Sequence, residues 1–388
     1  MTSYQRISAA VATLLTTLSP LAFAQGVEVV DEPPAAKGWK LETVADNLPQ
    51  PWGMTWLADG RMLVTGKKGT LHLLNGKRFE NIPVEGLPSL FTSGQGGLLD
   101  IAVHPADKGP NPRIYMTMAS GTSDENRTVL VQGIFDGKRV HNVKTLFAAS
   151  PAKSGGQHFG SRIVFLKDGT LLMSIGDGGN PPARVGDMLA RDQAQNVKSH
   201  NGAILRLTAE GKPAPGNPNF GQQGALPELY SIGLRNVQGM AVDPQSGRVW
   251  ANEHGPRGGD EINVIEGGKN YGWPLQSYGL DYQSREPIGK RVVPGMVDPI
   301  VVWSPSTGAS GLTYYTGKAF PAWRGSLFSG GLATKDIRRV AFDAQGKVVK
   351  QERLEIGKRV RDVRQGPDGH LYAITDEEKG SLLRIVPQ

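Results

Sequence analysis

The chain has 388 residues, a formal charge of +7, no cysteine, and 51 glycines and 27 prolines that together make about a fifth of it. Without cysteine there is no disulfide and no thiolate metal site, and a glycine- and proline-rich composition that still carries aromatics excludes disorder and calls for many short strands and turns. The 43 Lys and Arg are dispersed among 36 Asp and Glu with no basic run longer than two, which argues against a nucleic-acid partner.

Arg6 precedes an apolar, small-residue stretch from Ile7 to Leu18, followed by Pro20-Leu21-Ala22-Phe23-Ala24. This pattern predicts a secretory signal over 1–24, cleaved after Ala24, and it is too short and too weakly apolar to span a membrane. Removing it leaves +6, because Arg6 is its only charge. Residues 25–38 hold Pro and acidic residues and read as a linker. The folded domain is expected over 39–388.

From there one unit recurs six times: a turn, then an apolar strand, at Met62, Ile114, Thr170, Arg248, Ser326 and His370. A second strand follows each, beginning near Thr70, Thr128, Gly202, Glu261, Ile337 and Ser381. The intervals between units, 52, 56, 78, 78 and 44 residues, suit four-stranded blades with insertions in the longer ones. The expected class is therefore all-β, a six-bladed β-propeller, with Leu382–Val386 and Trp39–Val44 completing one blade and closing the ring against exposed edges. Sustained 3.6-residue periodicity is missing after residue 24, and only Met188–Val197 suggests a short helix.

The central stretch Gly155–Gly179 places His158 between glycines ahead of a hairpin, Ile163–Leu166, Asp168-Gly169, Leu171–Ile175. Other polar residues on Gly-rich connections are Gln95, Arg235, Asn236, Glu253, His254, Tyr282 and the pair Arg359 and Arg361, which as i and i+2 in a strand point the same way. Paired guanidiniums suit a carboxylate ligand, or else Asp362 or another surface acid. Asp260-Glu261 beside two glycines offers hard oxygens of the kind Ca²⁺ takes, or a solvated acidic turn.

The segments GQGGLLDIAVHP, GGQHFGSRIVF, GLRNVQGMAVDP, EHGPRGGDEIN, GKNYGWP and KRVRDVRQGPDGHLYAITD occur in order between Trp39 and Pro387. Together they resemble the soluble quinoprotein sugar dehydrogenases of the glucose/sorbosone dehydrogenase family, especially its periplasmic aldose-oxidising branch. The resemblance implies a propeller that binds pyrroloquinoline quinone (PQQ) and Ca²⁺ and oxidises a small aldose for an electron acceptor yet to be identified. By motif, it makes His158 the general base with Arg235 beside it at the reacting centre. Gln95, Arg235, Asn236, Tyr282, Ala333, Arg359 and Arg361 become cofactor contacts. Gly255 and Pro256 stand where carbonyls hold one Ca²⁺, and Glu261 and Tyr271 where the family has another.

Two positions depart from the glucose-oxidising branch. Gln157 replaces the Asp that precedes the histidine there, which leaves the partner orienting His158 open. Ala333 replaces a lysine after Leu332, with Lys335 two residues on. A Ca²⁺-dependent lactonase without redox cofactor, or a non-catalytic binding propeller, would use parts of the same residue set.

Overall fold

The computed structural model describes residues 27–388, so the expected export signal lies outside the described residues. Its first sheet is made of Pro51–Trp56, Met62–Gly66, Thr70–Asn75 and Arg78–Ile82. Five more sheets, each with four antiparallel strands, begin at Leu98, Ile163, Val237, Ala309 and Val360, the one at Val237 gaining a fifth, parallel strand, and the six are arranged as a β-propeller. Among the described residues the helical segments are two short 3₁₀ turns, Ala190–Gln195 and Pro321–Trp323. The first lies inside the stretch expected to be helical. No described helix is long and apolar enough to cross a membrane.

The recurring turn-strand unit proves to be the second strand of each blade, with the innermost strand ahead of it. Local chemistry explains the repetition. Asp59, Asp168 and Asp368 each accept a hydrogen bond from the backbone N–H two residues on, at 2.9–3.2 Å, while Gly60, Gly169 and Gly369 take up a positive φ of 80–87°. The chain is thereby turned into an apolar strand that is buried along its whole length, as at Leu171–Ile175 and Leu371–Thr375.

The ring closes as the alternation predicts: Trp39–Pro49 pairs antiparallel with Lys379–Pro387, so the sixth blade takes strands from both ends of the domain. The segment ahead of it, read as a linker, is tied down in part, with Val29–Val30 pairing parallel with Val302–Trp303 as a fifth strand on the fourth blade. Six apolar clusters fill the six interfaces between neighbouring blades. The one between the first and second joins Leu63, Leu71 and Leu73 to Ile114, Met116 and Val131. Each blade thus buries both faces, and the hydrophobic stabilisation is distributed around the ring.

A charged plug crosses the axis. At one level the inner strands present Gly53, Asp100, Arg162, Gly239, Gly311 and Asp362. Arg162 (1 % exposed) reaches Asp100 at 2.8 Å and Asp362 at 3.2 Å, and gives its Nε–H to the Gln238 carbonyl at 2.8 Å. Arg364 reaches the same two carboxylates at 3.0 Å. Glycine is needed opposite: a Cβ on Gly311 would lie 2.1 Å from Asp362 Oδ1, and one on Gly53 2.9 Å from Asp100 Oδ1. The plug separates a cavity above it from a channel below lined by Thr55, Ala102, Val164, Ala241, Thr313 and Arg364.

Candidate active site

Long blade insertions build the site. Residues 176–202 carry the chain from Ile175 to Ala203 in the third blade, and 266–300 carry it from Ile265 to Val301 in the fourth. His158 lies ahead of the third blade's hairpin, in a segment where His158, Gly160 and Ser161 all have positive φ (48, 62 and 82°). A histidine held there is strained. It is kept there by packing, since a Cβ on Gly176 would sit 2.1 Å from the His158 carbonyl, and by Gln95 Oε1, which accepts the His158 N–H at 2.9 Å.

The His158 ring is 3 % exposed, and its Nδ1 stands 2.6 Å from Asp177 Oδ1. Asp177 also accepts the Gly179 N–H at 3.0 Å and the Trp273 indole N–H at 2.8 Å. A carboxylate can only accept here, so the imidazole proton resides on Nδ1 and Nε2 keeps its lone pair. Burial is the larger influence and, with the Arg235 charge, holds the His158 pKa below its ordinary value against the pull of Asp177. Lys153 stands behind the pair, its Nζ 3.9 Å from the Phe159 ring centroid, with burial pulling it down to about 7.

His254 has the opposite tautomer. Asn236 Oδ1 accepts the Gly160 N–H at 3.0 Å, which turns its Nδ2–H₂ toward His254 Nδ1 at 3.3 Å. The proton of the His254 ring is then on Nε2, which has no hydrogen-bond partner of good geometry. Burial and the neighbouring Arg235 push His254 down to about 3. It is a neutral donor, not a base.

Next to these residues opens a cavity of about 360 Å³ whose walls include Trp52, Gln95, His254, Ala333, Arg359 and Arg361; the neighbours Phe159 and Gly160 line it, while His158 itself, Arg235, Asn236 and Tyr282 do not. The two arginines do point the same way and converge on Asp376, Arg359 at 3.0 Å and Arg361 at 2.9 Å. Asp362, offered by the sequence as an alternative partner, turns into the axial plug instead. Arg361 also lies 5.7 Å from the Trp52 ring centroid. With Lys67 in the same wall, three cations face one carboxylate.

A second, small cavity of about 10 Å³ adjoins it, lined by Arg235, Glu253, Gly255, Pro256, Glu261 and Tyr271 among others, with His254 common to both. Arg235 gives NH1 hydrogens to the carbonyls of His254 and Gly255, both at 2.9 Å, and an NH2 hydrogen to Asn180 at 2.7 Å. The Pro256 carbonyl accepts from Tyr282 and Ser306, each at 3.0 Å. Glu253 and Glu261 are direct cross-strand partners. Burial raises Glu253 to about 7 and, with Glu253 opposite, pushes Glu261 well above the carboxylate range. Asp260 is spent on structure, accepting from Gly255 N, Thr307 Oγ1 and Ala309 N at 2.9–3.0 Å.

With this geometry in view, likeness to known proteins is informative. The profile of the glucose/sorbosone dehydrogenase family matches residues 48–384. The chain belongs to this family. It is 37% identical to the aldose sugar dehydrogenase of Escherichia coli (strain K12), over 90% of this chain and 93% of the relative. The apo crystal structure of the soluble aldose sugar dehydrogenase from Escherichia coli superposes with a TM-score of 0.82 at 36% identity, covering 90% and 100% of the two chains. The PQQ-bound aldose sugar dehydrogenase of Streptomyces coelicolor superposes with a TM-score of 0.71 at 28% identity, covering 91% and 99%.

The family's two departures can now be located. Asp177, from a blade insertion, orients His158, while Gln157 turns away and its Oε1 accepts from Asn180 at 3.3 Å. Ala333 lines the main cavity but Lys335 does not. Lys335 is exposed, has a φ of 59°, and its carbonyl accepts from Ile356 and Gly357. Asp177, Trp52, Asp376 and Lys67 are site residues that reading the chain overlooked. Only Asp177 carried a local signal, its place in Gly176-Asp177-Gly178-Gly179 after a buried strand.

Proposed function

We propose that the chain oxidises the anomeric carbon of aldose sugars to lactones with PQQ as its cofactor. The observation that carries this reading is a buried imidazole whose Nε2 lone pair is held free by Asp177, beside a cavity with more cations than anions. A flat polycarboxylate fits that cavity: about 360 Å³ with Trp52 and the unbalanced Lys67, Arg359 and Arg361 in its walls. When bound, the quinone supplies the acceptor for a hydride from C1 of the sugar.

What the chain's own residues do follows from their geometry. Nε2 of His158 takes the proton of the anomeric hydroxyl. Asp177 holds the ring in the needed tautomer and stabilises the imidazolium that forms, while Trp273 and Gly179 hold Asp177. His254 and Gln95 line the cavity, Gln95 with its oxygen engaged by the His158 N–H, and Asn236 fixes His254 against the His158 segment. Burial first, and then the Arg235 charge, depress the His158 pKa and so keep the base unprotonated before reaction. Tyr282 borders the site through its bond to Pro256.

Calcium belongs to the same proposal, at two places of different standing. Glu261 with Glu253 fits a cation, because two carboxylates are buried face to face and Glu253 disfavours ionisation of Glu261; the Tyr271 hydroxyl there is already bonded to the Val264 carbonyl and the Glu266 N–H. At Gly255 and Pro256 the carbonyls already accept from Arg235, Tyr282 and Ser306, and among the described residues no three His, Asp or Glu form a metal cluster. A cation there must displace those donors, so no step is derived through it. Export by residues 1–24 to the periplasm completes the reading, and a mature protein beginning at Gln25 would bear it out.

The deciding experiment is dye-linked aldose oxidation by purified apoprotein with and without added PQQ and Ca²⁺. Turnover that requires PQQ is expected. Lactone hydrolysis without PQQ, or no turnover with any aldose in its presence, overturns the reading.

A further inference from the structure

We propose that Lys67, at the hairpin turn of the first blade, is a direct cofactor-binding residue, supplying to the cavity a lysine that the glucose-oxidising branch carries after the residue matching Leu332. The inference rests on the quinone reading above. Its observations are separate.

Lys67 lies in the turn between Met62–Gly66 and Thr70–Asn75, three blades' worth of chain or more from Ala333, yet both line the one cavity. Its backbone is clamped. Lys67 N donates to the Gln50 carbonyl and its own carbonyl accepts from Leu98 N, both at 3.0 Å, and a Cβ on Gly97 would lie 2.6 Å from that carbonyl. The side chain runs along the cavity wall and gives one Nζ–H to the Gly94 carbonyl at 2.9 Å. An ammonium has three hydrogens, so two are left for a ligand.

Among the described residues no acid is free to neutralise it: Asp376 is the one carboxylate they place in the cavity wall, and it is already shared by Arg359 and Arg361. Burial, then the charge of Arg361, hold the Lys67 pKa below that of an ordinary lysine, which is the state of a cation awaiting an anion. The alternative is disposed of by position, since Lys335 is exposed and outside the cavity. The contact also reaches the reacting centre: the Gly94 carbonyl that Lys67 grips adjoins Gln95, whose side chain holds the His158 N–H.

The test is equilibrium binding of PQQ to purified apoprotein, read by quenching of tryptophan fluorescence with Trp52 in the cavity wall, across a series of NaCl concentrations. Lys67→Gln retains a donor for Gly94 but no charge, and should raise Kd at least about tenfold, equivalent to about 1.4 kcal/mol, and flatten the dependence on salt. Lys67→Arg should stay within about threefold of wild type. Lys68→Gln and Lys335→Gln, both exposed, should bind as wild type does. An unchanged Kd and salt dependence in Lys67→Gln, or a loss in Lys335→Gln as large as in Lys67→Gln, overturns the proposal while the quinone reading stands. Failure of the wild-type protein to bind PQQ overturns both.

Discussion

Asp177 and Trp273 stand 96 positions apart in the chain and meet at 2.8 Å, the indole N–H on one carboxylate oxygen while His158 occupies the other. Asparagine cannot serve both. With its oxygen toward His158 and Gly179, its amide would face the indole N–H, and with its amide toward His158 it would force the proton to Nε2. Asp177→Asn should therefore lower kcat by about 10²- to 10⁴-fold, with PQQ affinity kept within about threefold. Turnover within tenfold of wild type would remove Asp177 from the role of orienting the base. His158→Gln should lose at least as much.

The acid limb of the rate profile should be displaced. Burial and Arg235 lower the His158 pKa, so the imidazole stays unprotonated until the pH falls below the ordinary value near 6.5. The dependence of kcat/KM on pH should show its acid break on the acid side of that value. A break above it would mean that Asp177 outweighs burial.

Stability should respond to the same burial. His254 titrates at about 3 when folded and near 6.5 when unfolded, so the unfolded chain binds the extra proton in between. The stabilisation from a neutral His254 is present above 6.5 and is lost as pH falls toward 3. Denaturant midpoints should drop across this window, and His254→Gln should make the drop shallower.

Glu253 and Glu261 act in the other direction. Folded Glu253 titrates at about 7 against about 4.5 unfolded, so the fold loses stability as pH rises from 4.5 to 7 unless a cation enters. In chelator at pH 8, Glu261→Gln should raise Tm by a few degrees, and it should abolish any further rise on adding Ca²⁺. A wild-type Tm indifferent to Ca²⁺ would remove the cation from this pair.

The axial plug should be costly to break. Asp362 is fully buried between Arg162 and Arg364, so Asp362→Ala leaves the enclosed Arg162 and the half-buried Arg364 each short of a partner and should destabilise by about 3–5 kcal/mol. Urea midpoints measure it. A loss under 1 kcal/mol would show that water reaches the axis.

Much of the architecture was legible because propeller blades repeat a local chemistry: an Asx turn with glycine, then a buried strand, recognisable at Asp168-Gly169 or Asp368-Gly369 without any partner. His158, Arg359 and Arg361 were legible too, the first by its glycines and the others by strand spacing. Asp376, Trp52 and Lys67 were not, since each comes from a blade whose sequence shows an ordinary turn or strand there, and only ring closure brings them to a common wall. Asp362 illustrates the same limit in reverse. Beside Arg361 in sequence, it enters the axial plug, at a register shift between Val360 and Asp362 that no local pattern announces.

Because Arg162, Asp100, Asp362 and Arg364 stop the axis, what enters the cavity cannot leave along it, and on the quinone reading sugar and acceptor are expected to share the upper opening. Whatever brings electrons in and whatever carries them off must use it in turn. The sugar has to depart as product before the acceptor can approach the reduced site, so initial-rate plots with both reactants varied should give parallel lines, the pattern of a double-displacement enzyme. A ring stopped in this way keeps two redox partners from meeting inside it.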